Sequence, residues 1–165
     1  EENLSGLLSG KPEFLTEAVQ ESCRIKARVV EKDETDQGLR AILNFGHTLG
    51  HAVESLTGYG VFNHGEAVGM GMVAAAQLAA ALGLLPEKEA ERITVLIRRT
   101  GLPVEIPGDL PADVLVAAMR QDKKASAGRL TMVLPVEIGR VEVVRNVPET
   151  AVLKLLDSSR PFPEP

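Results

Sequence analysis

All three histidines of the chain lie between positions 47 and 64, His47 and His51 in L-N-F-G-H-T-L-G-H-A-V-E and His64 in N-H-G-E-A-V-G-M-G-M. His47 and His51 are four residues apart, so on a helix they share one face. The glycine-containing stretch T-G-Y-G separates them from His64 and places it at the start of the next helix. If the two helices run antiparallel, the third imidazole can meet the other two. Neutral imidazoles are good ligands for zinc and similar metals, and a catalytic metal site takes about three protein ligands plus an open position. The same residues could also divide the work, one binding a metal while another moves protons. Histidines on helices are also common as ordinary surface or core residues, and spacing by itself leaves that reading open.

The H-x-x-x-H spacing is shared with zincin peptidases, but Thr48 stands where such a peptidase carries its general-base glutamate, which weakens that reading. Glu54 lies three residues after His51 and Glu66 two after His64, and either could orient an imidazole through its second nitrogen. Upstream, Arg40 and Asn44 precede His47 at steps of four and three. On one continuous helix Arg40, Asn44, His47 and His51 would form a single polar stripe. A guanidinium fork, an amide and two imidazoles suit a polar, anionic ligand better than they suit a merely solvated face, which remains the plainer alternative. Lys26 in R-I-K-A-R-V-V, and Lys123 and Lys124 in the triplet D-K-K, are cations that spacing alone does not single out.

The elements that must carry these groups are mostly helical. Apolar residues at steps of three and four predict a helix over 12–31, a second over 39–56 that carries the histidine pair, and an Ala-rich third over 65–82. A fourth follows Pro86, with acids early, basics late and Gly101 at its end, and a fifth covers 111–120. The period then changes. L-T-M-V-L-P-V and R-V-E-V-V-R read as two strands of a hairpin joined by E-I-G, and a last helix covers 148–157 before a loose tail at 159–165. The expected fold is therefore mainly α, a multihelical bundle over 1–158 with a small C-terminal β-hairpin.

Composition agrees. The chain has 165 residues, 44% apolar but only 3% aromatic, so Ala, Leu and Val must fill the core, a mixture that favours close-packed helices. A net charge of −5 without a basic run argues against nucleic-acid binding. The single cysteine, Cys23, excludes an internal disulfide and fits a reducing compartment, so a cytoplasmic location is expected. The acidic N-terminus is unlike a signal peptide. Residues 67–85 carry no charge and approach membrane-spanning length, but Ala and Gly dominate and no aromatic or basic anchors flank them, so a buried central helix is expected instead.

Taken together, L-R-A-I-L-N-F-G-H-T-L-G-H-A-V-E, H-G-E-A-V-G-M-G-M, D-K-K and the upstream I-K-A-R-V-V-E-K-D-E-T-D-Q-G-L-R resemble the C-terminal half of the 3-dehydroquinate synthases, in order and at matching distances. The resemblance implies conversion of 3-deoxy-D-arabino-heptulosonate 7-phosphate to 3-dehydroquinate and phosphate, the second step of the shikimate pathway. NAD would be used catalytically and zinc, or cobalt, would polarise the hydroxyl being oxidised. It implies a cytoplasmic homodimer. It places His47 and His64 on metal-ligand positions, His51 on a proton-transfer and phosphate-contact position, and Lys26, Arg40, Asn44 and a lysine of Lys123–Lys124 on substrate-binding positions. Asp36 stands where the family's D-E-x-E-x-G-L-R pattern has a glutamate sometimes assigned as a base.

Two features of the family have no counterpart in this sequence: the glycine-rich NAD-binding domain and the G-x-A-E-V-I-K motif, whose glutamate is the family's third metal ligand. Both are expected on an upstream domain, so this chain alone is expected neither to hold NAD tightly nor to turn over substrate. Three rivals stand beside this reading. They are another sugar-phosphate cyclase acting on a heptulose 7-phosphate, an iron- or zinc-dependent alcohol dehydrogenase, and a helical module that only packs or dimerises.

Overall fold

The computed structural model describes residues 1–34, 38–58, 60–122 and 128–158, which divide into two compact units, Glu1–Leu43 and Asn44–Pro165.

In the first unit a short helix that periodicity did not predict, α1 (Leu4–Leu8), precedes α2 (Pro12–Lys32). Pro12 sits at the first turn of α2, where its missing N–H costs nothing, and the ring of Phe14 packs so closely on Gly6 that a β-carbon there would overlap it. α2 matches its predicted span, yet none of its residues is buried, and Leu15, Val19 and Ile25 stay exposed along it. After α2, the buried Asp33 carboxylate accepts hydrogen bonds from the backbone N–H groups of Gly38 and Arg40, both at 3.0 Å.

The expected continuous helix over 39–56 is corrected. Leu39–Asn44 is a 3-10 turn, and α3 begins afresh at His47 and ends at Thr57. Gly46 between them adopts φ 81°, a left-handed conformation that breaks the helical path and that residues with a β-carbon rarely adopt. Arg40 and Asn44 therefore do not continue the helical stripe of His47 and His51.

The second unit is built around α4 (His64–Ala81), Ala-rich and uncharged from Ala67 onward, which contacts α3, α5 (Glu87–Arg99), α7 (Glu149–Ser158) and strand β1 (Arg129–Glu137). α6 (Ala112–Asp122) closes the bundle against α3 and α7. Ala67, Met70, Val73, Ala75, Ala76, Leu78 and Ala79 are buried on α4. That spread of buried positions leaves no polar face, as expected for a helix covered on several sides. Small side chains let its neighbours approach closely while keeping good helix propensity. No helix among the described residues is long and apolar enough to cross a membrane.

The hairpin forms as expected. β1 pairs antiparallel with β2 (Arg140–Pro148), with Leu130 opposite Val147 and Glu137 opposite Arg140 across a turn at Ile138–Gly139. β1 buries Val133 and lays Leu130, Met132 and Leu134 into the core cluster that holds Val53, Leu115 and Met119, whereas most of β2 faces outward. At the foot of the hairpin the buried Glu149, first residue of α7, accepts from both ends of the Arg120 guanidinium, including Nε at 2.6 Å. The residues of the expected loose tail lie outside the described residues.

Candidate metal centre

The repeated pair G-H in G-H-T-L-G-H sets the site. Gly46 and Gly50 are four residues apart and form a bare stripe where α3 meets α4. A β-carbon at Gly46 would lie 2.7 Å from the Val68 carbonyl oxygen and 2.8 Å from the Met72 nitrogen, and one at Gly50 would lie 3.1 Å from the Ala67 oxygen. Gly71 answers from α4, where a β-carbon would fall 2.0 Å from the Gly46 oxygen. The two backbones are thus in direct contact through three glycines. His47 and His51 each follow one of those glycines and stand one step round the helix, beside the seam rather than inside it.

α3 and α4 pack antiparallel, Gly46 meeting Val68 and Met72 at one end and Glu54 meeting His64 at the other, so the start of α4 returns to α3. Asn63 caps α4, and the Glu66 side chain reaches back to accept the Asn63 backbone N–H at 2.7 Å, completing a capping box that fixes the first helical residue, His64. The three imidazoles converge. Ring centroids are 5.4 Å apart for His47 and His51, 5.2 Å for His47 and His64, and 5.8 Å for His51 and His64. One ring nitrogen from each lies within 4.8 Å of the others. Tetrahedral zinc at ordinary Zn–N lengths sets ligand nitrogens about 3.3 Å apart, so ring tilts of roughly 1 Å would close the cluster on an ion. Imidazole donors of this kind fit zinc or cobalt.

Hydrogen bonds orient two of the rings. His47 Nδ1 is 3.2 Å from the Phe45 carbonyl oxygen, and His64 Nδ1 is 3.1 and 3.3 Å from the two oxygens of Glu54. Of the two glutamates that could orient a ring, Glu54 meets His64 while Glu66 is engaged at the helix cap. Thr48, which occupies the zincin glutamate's place, is buried, and its hydroxyl is not the carboxylate base that such a peptidase uses.

Asn44 is exposed at the end of the 3-10 turn. In the first unit, Lys26 is exposed on α2, and Arg40 is half-buried, its backbone N–H held by Asp33. Asp36, Lys123 and Lys124 lie outside the described residues. Reading the residue types missed Asp33 and the three seam glycines. The glycines carried a signal of their own in the G-x-x-x-G spacing of Gly46 and Gly50, which marks close helix approach.

The sequence matches the family described as 3-dehydroquinate synthase C-terminal over residues 1–125. It is 53% identical over 158 residues to the 3-dehydroquinate synthase of Pelotomaculum thermopropionicum, covering 96% of this chain and 43% of that protein. It is 50% identical over 146 residues to that of Nostoc punctiforme, covering 88% and 40%. The chain thus spans roughly two fifths of the length of the relatives it matches. Among solved structures it is similar to ValA, the 2-epi-5-epi-valiolone synthase of Streptomyces hygroscopicus with NAD+ and Zn2+ bound, at TM-score 0.77 and 28% identity, covering 90% of this chain and 41% of that one. It is also similar to a 2-deoxy-scyllo-inosose synthase complexed with carbaglucose-6-phosphate, NAD+ and Co2+, at TM-score 0.70 and 26% identity, covering 81% and 38%. With half its residues shared along nearly its whole length and its histidine motifs inside the matched segment, the chain belongs to the 3-dehydroquinate synthase C-terminal family.

Proposed function

We propose that this chain is the metal- and substrate-binding half of a 3-dehydroquinate synthase, a phosphate-eliminating cyclase that converts 3-deoxy-D-arabino-heptulosonate 7-phosphate to 3-dehydroquinate with NAD used catalytically. The observation that carries the reading is the convergence of His47, His51 and His64, with ring nitrogens within 4.8 Å, inside the segment that matches the synthase C-terminal family. His47 and His64 would hold the metal, which as a Lewis acid would favour ionisation of the substrate hydroxyl to be oxidised. His51, on the same face of α3 as His47 and with its ring centroid 5.8 Å from that of His64, is suited to exchange protons with the substrate and to contact its phosphate. Lys26, Arg40, Asn44 and a lysine of Lys123–Lys124 are proposed as substrate-binding groups, since a phosphorylated sugar acid needs cationic and amide donors. Asp36 is proposed as an auxiliary base. NAD would be held mainly by an upstream half, and the working enzyme is proposed as a cytoplasmic homodimer.

Similarity to the other cyclases supports a second, coarser reading, a sugar-phosphate cyclase with a different substrate. Identity near 50% to the synthases against 26–28% to those cyclases favours the first. The test joins this chain to the remainder of the Pelotomaculum relative, supplies the heptulosonate phosphate, NAD and zinc, and follows phosphate and NADH absorbance together. Phosphate released without accumulating NADH is expected. Accumulating NADH without phosphate would indicate a dehydrogenase and overturn the reading, and phosphate released only from a heptulose 7-phosphate lacking the carboxylate would move the chain to the second.

A further inference from the structure

The stripe that α3 presents is not the one the spacing of Arg40 and Asn44 suggested. Inside α3, steps of four and three link His47, His51 and Glu54, so the histidine face ends in a carboxylate one turn beyond His51. Because α3 and α4 are antiparallel, that end of α3 lies against the first residue of α4, His64. The Glu54 side chain is only 14% exposed, whereas His64 is 57% exposed, so a sheltered carboxylate grips an imidazole whose other edge is open. The start of α4 also favours a nearby negative charge.

We propose that Glu54 is a positioning residue for the metal centre. It fixes His64 in the tautomer that carries its proton on Nδ1 and aims Nε2 at the cluster. An ionised carboxylate only accepts, so a neutral His64 bonded to Glu54 must place its proton on Nδ1. The Phe45 carbonyl imposes the same tautomer on His47, because it too only accepts. Both proposed metal ligands therefore present Nε2, one set by backbone and the other by Glu54. Glu66 cannot replace Glu54 without opening the capping box at Asn63.

The proposal rests on the metal reading of the histidine cluster, and the test separates the two. Long-range proton–nitrogen NMR spectra of the metal-free chain, in mildly alkaline buffer, report which nitrogen of His64 carries the proton. Zinc affinity is measured by competition with a chromophoric chelator on the chain joined to the remainder of the Pelotomaculum relative. In Glu54→Ala, His64 is expected to move toward the Nε2–H tautomer that free histidine prefers in water, and zinc affinity to fall about 10- to 100-fold. Glu54→Gln keeps the side-chain volume and a weaker acceptor, so it should fall between, and it supplies the comparison if Glu54→Ala does not fold. An unchanged tautomer, or unchanged zinc affinity, in the folded variants would overturn the proposal. A tautomer that shifts while the joined protein binds no zinc at all would overturn it together with the metal reading.

Discussion

Gly71 on α4 gives the sharpest test of how the histidines are brought together. A β-carbon built there lies 2.0 Å from the Gly46 oxygen, 2.9 Å from the Gly46 carbonyl carbon and 3.0 Å from the Gly50 nitrogen. All three are backbone atoms, so no side chain can rotate aside and α3 must back away. Restoring ordinary contact needs roughly 1 Å of movement, and overpacking of that kind costs up to about 3 kcal/mol. The better helix propensity of Ala returns about 1 kcal/mol. Gly71→Ala should therefore lose about 2 kcal/mol net and, for a chain of this size, melt about 4–8 °C lower. Gly65 lies on the same helix, but a β-carbon there meets nothing within 4 Å. The same substitution at Gly65 should be neutral or stabilising by up to about 1 kcal/mol. Because α3 carries His47 and His51 while α4 carries His64, the displacement in Gly71→Ala also spreads the ligands beyond the roughly 0.5 Å that a metal site tolerates, so zinc binding should weaken with it. Thermal unfolding of the two variants beside the parent chain decides the matter. A Gly71→Ala chain as stable as the parent, or a Gly65→Ala chain as destabilised as Gly71→Ala, would refute the claim that backbone contact between α3 and α4 sets the cluster.

Other outcomes follow from the same structure. The Arg120 guanidinium holds the Glu149 carboxyl below its ordinary value, so the pair's stabilising effect is present above the usual carboxylate range and fades as pH falls through the lowered value. Glu149→Gln should lower stability at neutral pH and narrow its gap from the parent in acid, read from urea midpoints between about pH 7 and pH 3. Asp33→Ala strips the acceptor from the Gly38 and Arg40 N–H groups, so those two amides should exchange with solvent faster than in the parent, at a cost of about 1–3 kcal/mol. Asn63→Ala removes the cap of α4 and should cost about 1 kcal/mol, seen as a lower melting temperature.

Much of this protein was legible in its residues. Helical periodicity located α2 and α4 to α7 within a residue or two, since each segment repeats its apolar positions at three and four or closes on a Gly. The alternation after Gly128 located the hairpin. The motif around His47, His51 and His64 pointed to a metal and to a family before any geometry was known. α1 escaped because five residues are too few to show a period. The break at Gly46 escaped because Arg40, Asn44, His47 and His51 keep helical spacing in number while the backbone between them does not keep it in space. A glycine can either sit inside a helix or interrupt it, and only its contact with Val68 and Met72 on α4 decides which. The choice between Glu54 and Glu66 was likewise tertiary. Both lie near a histidine in sequence, but the antiparallel return of α4 brings His64 to Glu54, and the local geometry of a helix start takes Glu66 for the cap. Residue types and spacing determined which chemistry the chain could carry. The close packing of two helices, permitted by three absent side chains, decided which of those groups meet.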